Sequence, residues 1–151
     1  MSFVPADAGY AQRVRDNFAR QGAMHTLGAT LEAVSPGHVV IVLRHRPELA
    51  QQHGFMHAGM LTTALDSACG YAAFSLMPAD ASVLSIEFKV NLLAPAQGPW
   101  LRCEGRVLKA GRTISVVEGR ALQHEPGGPE KLVATMTATM MTVQGRPDVR
   151  G

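Results

Sequence analysis

Disulfide chemistry, excess charge and repeats are all missing from this chain. Its 151 residues hold two cysteines, Cys69 and Cys103. That is too few for a disulfide scaffold and fits a reduced, cytoplasmic protein. The formal net charge is +2. No run of Lys and Arg interleaved with aromatics occurs, which argues against a nucleic-acid partner. The first residues, MSFVPADAGYAQ, have neither a basic n-region nor an apolar h-region, so no signal peptide is expected. No internal repeat or low-complexity tract is visible. What remains is an ordinary globular composition, 46% hydrophobic and 17% charged, long enough for a single domain over residues 1–151.

One local absence says more. From Leu49 to Ala79 the chain carries one formal charge, Asp66. Met60 to Met77 is apolar enough to raise the question of a membrane span. It also contains Thr62, Thr63, Asp66, Ser67, Gly70 and Ser75. A central Asp costs roughly 2.5–3.5 kcal/mol on insertion scales, so no membrane association is expected. The segment has instead the length and composition of a buried helix, from about His57 to Leu76, stopped by Pro78 and Asp80.

The flanks supply the rest of the fold class. Tyr10, Val14 and Phe18 recur at i, i+4, i+8 and mark a first helix over about 7–21, with Asp7 as its cap. Met24 to Val34 and His38 to Leu43 are apolar runs around Ser35-Pro36-Gly37, the pattern of a hairpin. After the long helix the period changes to two. Strands are predicted over Ser82–Leu93, Trp100–Lys109, Arg112–His124 and Lys131–Val143, with Gln144–Gly151 as a frayed tail. Runs of strands rather than βαβ units predict an α+β fold with an antiparallel sheet. A helix apolar on most faces has to be enclosed, and a curved sheet wrapped around it would do so.

Asp66 is the first candidate for chemistry. A carboxylate in a buried helix is costly unless it is hydrogen-bonded, paired or used. It could act as a general base or nucleophile, or simply bond to a nearby hydroxyl such as that of Thr62. Ahead of it lie Gln51 and the Gly-rich stretch His53-Gly54-Phe55-Met56-His57-Ala58-Gly59. Backbone N–H groups at Ala58 and Gly59 would open the helix, where unpaired donors and the positive dipole end suit a developing oxyanion. The same small residues would also permit close helix packing. His57 could orient that turn or simply satisfy its backbone. His53 and His57 have the i, i+4 spacing of metal ligands, but no Glu intervenes as in His-Glu-x-x-His and no third ligand is evident. No metal and no other cofactor is expected. Cys69, in mid-helix with no adjacent base, is a poor nucleophile and a good core residue.

The segment QQHGFMHAGMLTTALDSACGYAA resembles the helix of PaaI-like hotdog-fold acyl-CoA thioesterases. Gln51 stands at that family's Asn, His57-Ala58-Gly59 at its His-Gly-Gly, and Leu65-Asp66-Ser67-Ala68 at its helix acid. The strand SIEFKVNLLAPA, from Ser85, resembles the strand that follows. The resemblance implies a hotdog fold, a five- to six-stranded antiparallel sheet around the central helix. It implies hydrolysis of an acyl-CoA substrate at the interface of a homodimer, often within a homotetramer. Gln51, His57 and Ala58 would come from one subunit, and Asp66 with Ser85 from the other. Ser85 would orient water, with Ser82 as the competing hydroxyl. The acyl chain would lie against Leu61, Leu65 or Phe74, beside Gly59. Arg112, clustered with Arg102, Arg106 and Lys109 around Gly111, would contact coenzyme A phosphates or line a solvated strand face. Hotdog domains also serve as hydratases and as acyl-binding modules, and these stand as alternatives. The helix has no histidine between Asp66 and Pro78, which disfavours proton transfer at carbon.

Overall fold

A computed structural model describes residues 2–151. Two short helices lead in, α1 (Tyr10–Arg20) and α2 (Gly22–Leu27). The hairpin β1 (Thr30–Ser35) and β2 (His38–Arg44) follows, then a 3₁₀ turn at Pro47–Leu49 and the long helix α3 (Ala58–Phe74). Four strands complete the chain: β3 (Ser82–Leu92), β4 (Trp100–Ala110), β5 (Ile114–His124) and β6 (Lys131–Val143). All six strands form one antiparallel sheet in the order β1-β2-β4-β5-β6-β3. The chain leaves β2 for α3 and lands at the far edge as β3. The β4–β5–β6 meander then fills the gap and curls around the helix, which packs on β2, β4, β5, β3 and β6. No helix among the described residues is long and apolar enough to cross a membrane.

A paired glycine slot sets how closely helix and sheet approach. Gly105 of β4 and Gly119 of β5 are register partners beneath α3. A Cβ on Gly105 would sit 2.3 Å from the Ala68 carbonyl oxygen, and one on Gly119 would sit 2.9 Å from Cys69 Sγ. Opposite them α3 presents Ala64, Leu65, Ala68, Cys69 and Ala72, all fully buried. Burial pushes both thiols up, that of Cys103 to about 12. Neither cysteine is a nucleophile in this setting.

Three sequence expectations need correction. The first helix begins at Tyr10, not Asp7. Asp7 Oδ1 instead accepts from Gly9 N at 2.9 Å and the carboxylate pairs with Arg13, so the acid braces the turn before the helix. The run from Met24 is not all extended. Met24 and Leu27, at i, i+3, bury one face of α2, and Gly28 at φ 66° closes that helix in the left-handed conformation that glycine tolerates best. The last residues do not fray. Gly145 at φ 70° reverses the chain after β6, Val149 O accepts from Ser82 Oγ at 3.2 Å, and Gln144 donates to Asp80.

Arg13 ties α1 to the end of α3. Its guanidinium donates to the carbonyls of Phe74, Met77 and Pro78 at 3.3, 2.7 and 3.0 Å and lies over the Phe74 ring. Phe74 O is the last carbonyl of α3, and Met77 O and Pro78 O belong to the turn that follows it. The contact fixes α1 along α3 and brings Asn17 and Gln21 over the middle of the long helix.

Candidate active site

Asp66 faces the β3 edge of the sheet and lines an open cleft of about 440 Å³. The floor of the cleft is α3 and the start of β3, and its walls are α1 and the C-terminal segment. Ser85 Oγ donates to Asp66 Oδ1 at 2.8 Å. Burial raises the Asp66 pKa from its ordinary value, and the Ser85 hydrogen bond pulls it part of the way back. The result is a half-buried base held by one hydroxyl, whose second oxygen has no partner among the described residues. The expectation that Asp66 and Ser85 meet is met by geometry. Thr62 is not its partner, and Ser82 is turned to Val149 O instead.

Gln51, His57, Ala58 and Leu61 line a different cleft, of about 570 Å³, with Leu92, Leu93 and Pro95. The donors there can be accounted for one by one. His57 N donates to Leu49 O, and the His57 carbonyl accepts from Met60 N and Leu61 N. Gly59 N donates to His57 Nδ1 at 2.9 Å, so the imidazole caps α3 and, when neutral, carries its proton on Nε2. Gly59 therefore has no free donor. The Ala58 N–H has no hydrogen-bond partner among the described residues and opens onto the cleft. Gln51 Oε1 accepts from His53 N at 2.9 Å, which leaves its amide NH₂ free. One backbone donor and one side-chain donor thus meet at the positive end of the helix.

Eight positions separate Ala58 from Asp66 on α3. That is about 12 Å along the axis, too far for both to act on one carbonyl. Within a single chain the acid and the donors are two half-sites. The strand β3 touches both, for Ser82–Ser85 line the Asp66 cleft and Leu92 lines the Ala58 cleft.

Other expected residues fall elsewhere. Leu65 and Phe74 are fully buried against the sheet and α1, on the wall of neither cleft. The reason is rotational: α3 is apolar nearly all round, so its sequence does not say which apolar positions face inward. Arg112 is exposed on the β4–β5 turn and lines neither cleft, whereas Arg102 is tied to Glu104 and Glu130. No group of His, Cys, Asp and Glu suited to a metal occurs among the described residues.

Sequence reading missed a polar ladder on the Asp66 cleft. Ser67 Oγ donates to Gln21 Oε1, Gln21 Nε2 donates to Tyr71 OH, and Tyr71 OH donates to Asn17 Oδ1, each at 2.9 Å. Burial pushes the Tyr71 phenol up to about 12, so it stays a donor. The available signal was Tyr71 itself, because a tyrosine in a buried helix requires a hydroxyl partner.

Comparison with known proteins follows the same lines. A sequence model of the thioesterase superfamily matches residues 53–129, a span that includes His57, Ala58, Asp66 and Ser85. A thioesterase family protein of Silicibacter pomeroyi is 52% identical, with a TM-score of 0.88, over 91% of this chain and 100% of that one. The PaaI protein of the E. coli phenylacetic acid degradation operon shares the fold at a TM-score of 0.82. It covers 93% of this chain and 97% of its own, at 17% identity. A protein of Saccharolobus solfataricus provisionally named an esterase is 35% identical over 83 residues, 54% of this chain and 58% of that relative. The match thus spans little more than half of that relative's length. With the family match, the antiparallel sheet and the enclosed helix taken together, the chain belongs to the thioesterase superfamily and carries the PaaI-like hotdog fold.

Proposed function

We propose that the protein hydrolyses acyl-CoA thioesters in sites that two copies of the chain complete together. The observation that carries this is the division of the half-sites between the two ends of β3. That strand is eleven residues long and lies at the sheet edge, with one side unpaired. It exposes Leu84, Ile86, Phe88 and Leu92 at 41–56% of their surface. A long, apolar, open edge is a template for pairing. Antiparallel pairing of two β3 edges about a two-fold axis near the strand middle sets the Ser82 end of one beside the Leu92 end of the other. The Asp66 cleft of each subunit then meets the Ala58 cleft of its partner, giving two equal sites per dimer.

In such a site the thioester oxygen sits on the Ala58 N–H and the Gln51 amide. Asp66 of the other subunit takes a proton from a water that adds to the carbonyl carbon, or attacks that carbon itself. Ser85 keeps one carboxylate oxygen occupied and so aims the other. The C–S bond breaks and the thiolate of coenzyme A gains a proton; with water as nucleophile the acid leaves at once, and with Asp66 as nucleophile a water then cleaves the acyl-Asp66 anhydride, releasing the acid and restoring the carboxylate. A donor placed on the oxyanion contributes about 2.7–4 kcal/mol in the transition state. The raised Asp66 pKa suits a base, and activity falls as pH drops through it.

The test is thiol release over a panel of acyl-CoA thioesters. Wild type, Asp66→Asn, Ala58→Pro and a co-expressed mixture of the two variants are compared. Each variant alone loses about 10²-fold or more in activity. In mixed dimers one site carries both lesions and the other carries neither, so the mixture recovers about a quarter of the wild-type sites. No recovery would show that acid and donor act within one subunit. No thiol release by the wild type would end the hydrolase reading.

A further inference from the structure

The lining of the Asp66 cleft restricts the acyl group. Its apolar surface is limited to Val83, Leu84 and Val149, with Gly70 on the floor. The rest is polar, and the ladder of Ser67, Gln21, Tyr71 and Asn17 forms one side. Counting valences along that ladder shows what it lacks. Tyr71 OH gives its proton to Asn17 and accepts from Gln21, so it is satisfied. Gln21 Nε2 retains a second hydrogen. Asn17 Nδ2 retains both of its hydrogens, with no partner among the described residues. The ladder therefore ends in spare N–H donors that only an acceptor can use. Of the other charged groups on the cleft, Asp148 is held by Arg146, while the Arg150 guanidinium makes no ion pair among the described residues.

Position adds a length. Gly70 lies one helical turn beyond Asp66, about 6 Å along the axis, and Tyr71 follows it. A four-carbon acyl group with its carbonyl at Asp66, plus one hydrogen bond, spans a length comparable to that rise. Further extension meets Asp148, Val149 and Arg150, held across the cleft through Val149 O and Ser82 Oγ. A long alkyl chain would lie against unsatisfied amides, and burying such groups without partners is costly.

We propose that the Asp66 cleft receives a short acyl group bearing an oxygen acceptor on its third or fourth carbon, recognised by the amide N–H groups of Asn17 and Gln21. This rests on the hydrolase reading and narrows its substrate class. The acceptor is a neutral carbonyl or a carboxylate, and one experiment separates the two.

Thiol release is measured from butyryl-CoA, acetoacetyl-CoA and succinyl-CoA, which share four acyl carbons, and from palmitoyl-CoA. The wild type is expected to favour acetoacetyl-CoA or succinyl-CoA over butyryl-CoA by at least about tenfold in kcat/KM, since a site built to bond an oxygen rejects the analogue lacking it. Which of the two wins identifies the acceptor as neutral or charged. Asn17→Asp keeps an oxygen for the Tyr71 hydroxyl but removes both spare donors of Asn17, while Gln21 keeps its own. It should lower the ratio several-fold, whereas a purely structural Asn17 would leave the ratio unchanged. Gln21→Glu removes the remaining spare donor together with the one that Tyr71 accepts, and the double variant should bring the ratio to about one. Butyryl-CoA or palmitoyl-CoA turned over as well as the oxygenated thioesters overturns this inference and leaves hydrolysis standing. So does an oxygen preference that survives both variants. No release from any of the four overturns this inference, and the hydrolase reading falls with it only when the wider acyl-CoA panel is silent too.

Discussion

The two long faces of α3 obey different rules. Toward the sheet the helix shows Ala64, Leu65, Ala68, Cys69 and Ala72, pressed onto Gly105 and Gly119 with no room for another methyl group. Toward the cleft, one or two residues away in sequence, it shows Asp66, Ser67 and Gly70 around open space. The first face is governed by volume and the second by charge and hydrogen bonding. One element is thus the spine of the fold and the floor of the site, and adjacent residues on it differ in what they tolerate.

Substitutions on the two faces should separate cleanly. The largest effect belongs to Asp66→Asn, which is nearly isosteric. Loss of a general base should lower kcat by about 10²–10⁴, measured by thiol release, with the fold intact by circular dichroism. Ala58→Pro should come next. Proline is tolerated at the first helical position and deletes only the N–H, so kcat should fall about 10²–10³ while Tm stays close to wild type. On the opposite face the signature inverts. Gly105→Ala should cost about 1–3 kcal/mol of stability in denaturant unfolding, because the new Cβ overlaps the Ala68 carbonyl. A fully stable Gly105→Ala would mean that helix and sheet are less tightly apposed than described.

The smallest effect sharpens the contrast most. The folded-state pKa of Asp66 is raised, chiefly by burial, so folding favours its protonated form. Stability from that source is complete below the unfolded carboxylate pKa and is lost as pH rises through the folded one. At neutral pH the ionised Asp66 therefore weighs against the fold. Asp66→Asn should melt slightly higher than wild type at pH 7, and the gap should close on acidification. A variant that melts lower at pH 7 would mark Asp66 as a structural residue.

The sequence reading reached some of this and stopped short of the rest for identifiable reasons. The change from helical to period-two patterning near Ser82 located β3 to β6, and the lone charge at Asp66 located the long helix. Ser85 was found through its place in a recognised strand, since a serine on a strand has no signal of its own. Leu65 and Phe74 were misplaced because α3 is apolar on nearly every side, and rotation about its axis is set by the sheet. Gly105 and Gly119, fourteen positions apart, become a pair only through the β4–β5 register. The second helix was read as strand because it is six residues long, and the single i, i+3 pair Met24 and Leu27 is too little to set a period apart from the apolar run that continues into β1.

The position of β3 has a consequence for behaviour in dilute solution. On the proposed pairing, each end of this edge strand carries part of a different site, and a separated subunit keeps neither site whole. Association and catalytic competence then become one equilibrium, with no partly active species between. Specific activity would fall on dilution along the same curve as molecular mass, and a substrate analogue that bridges the two halves would hold the pair together at concentrations where the free chains part.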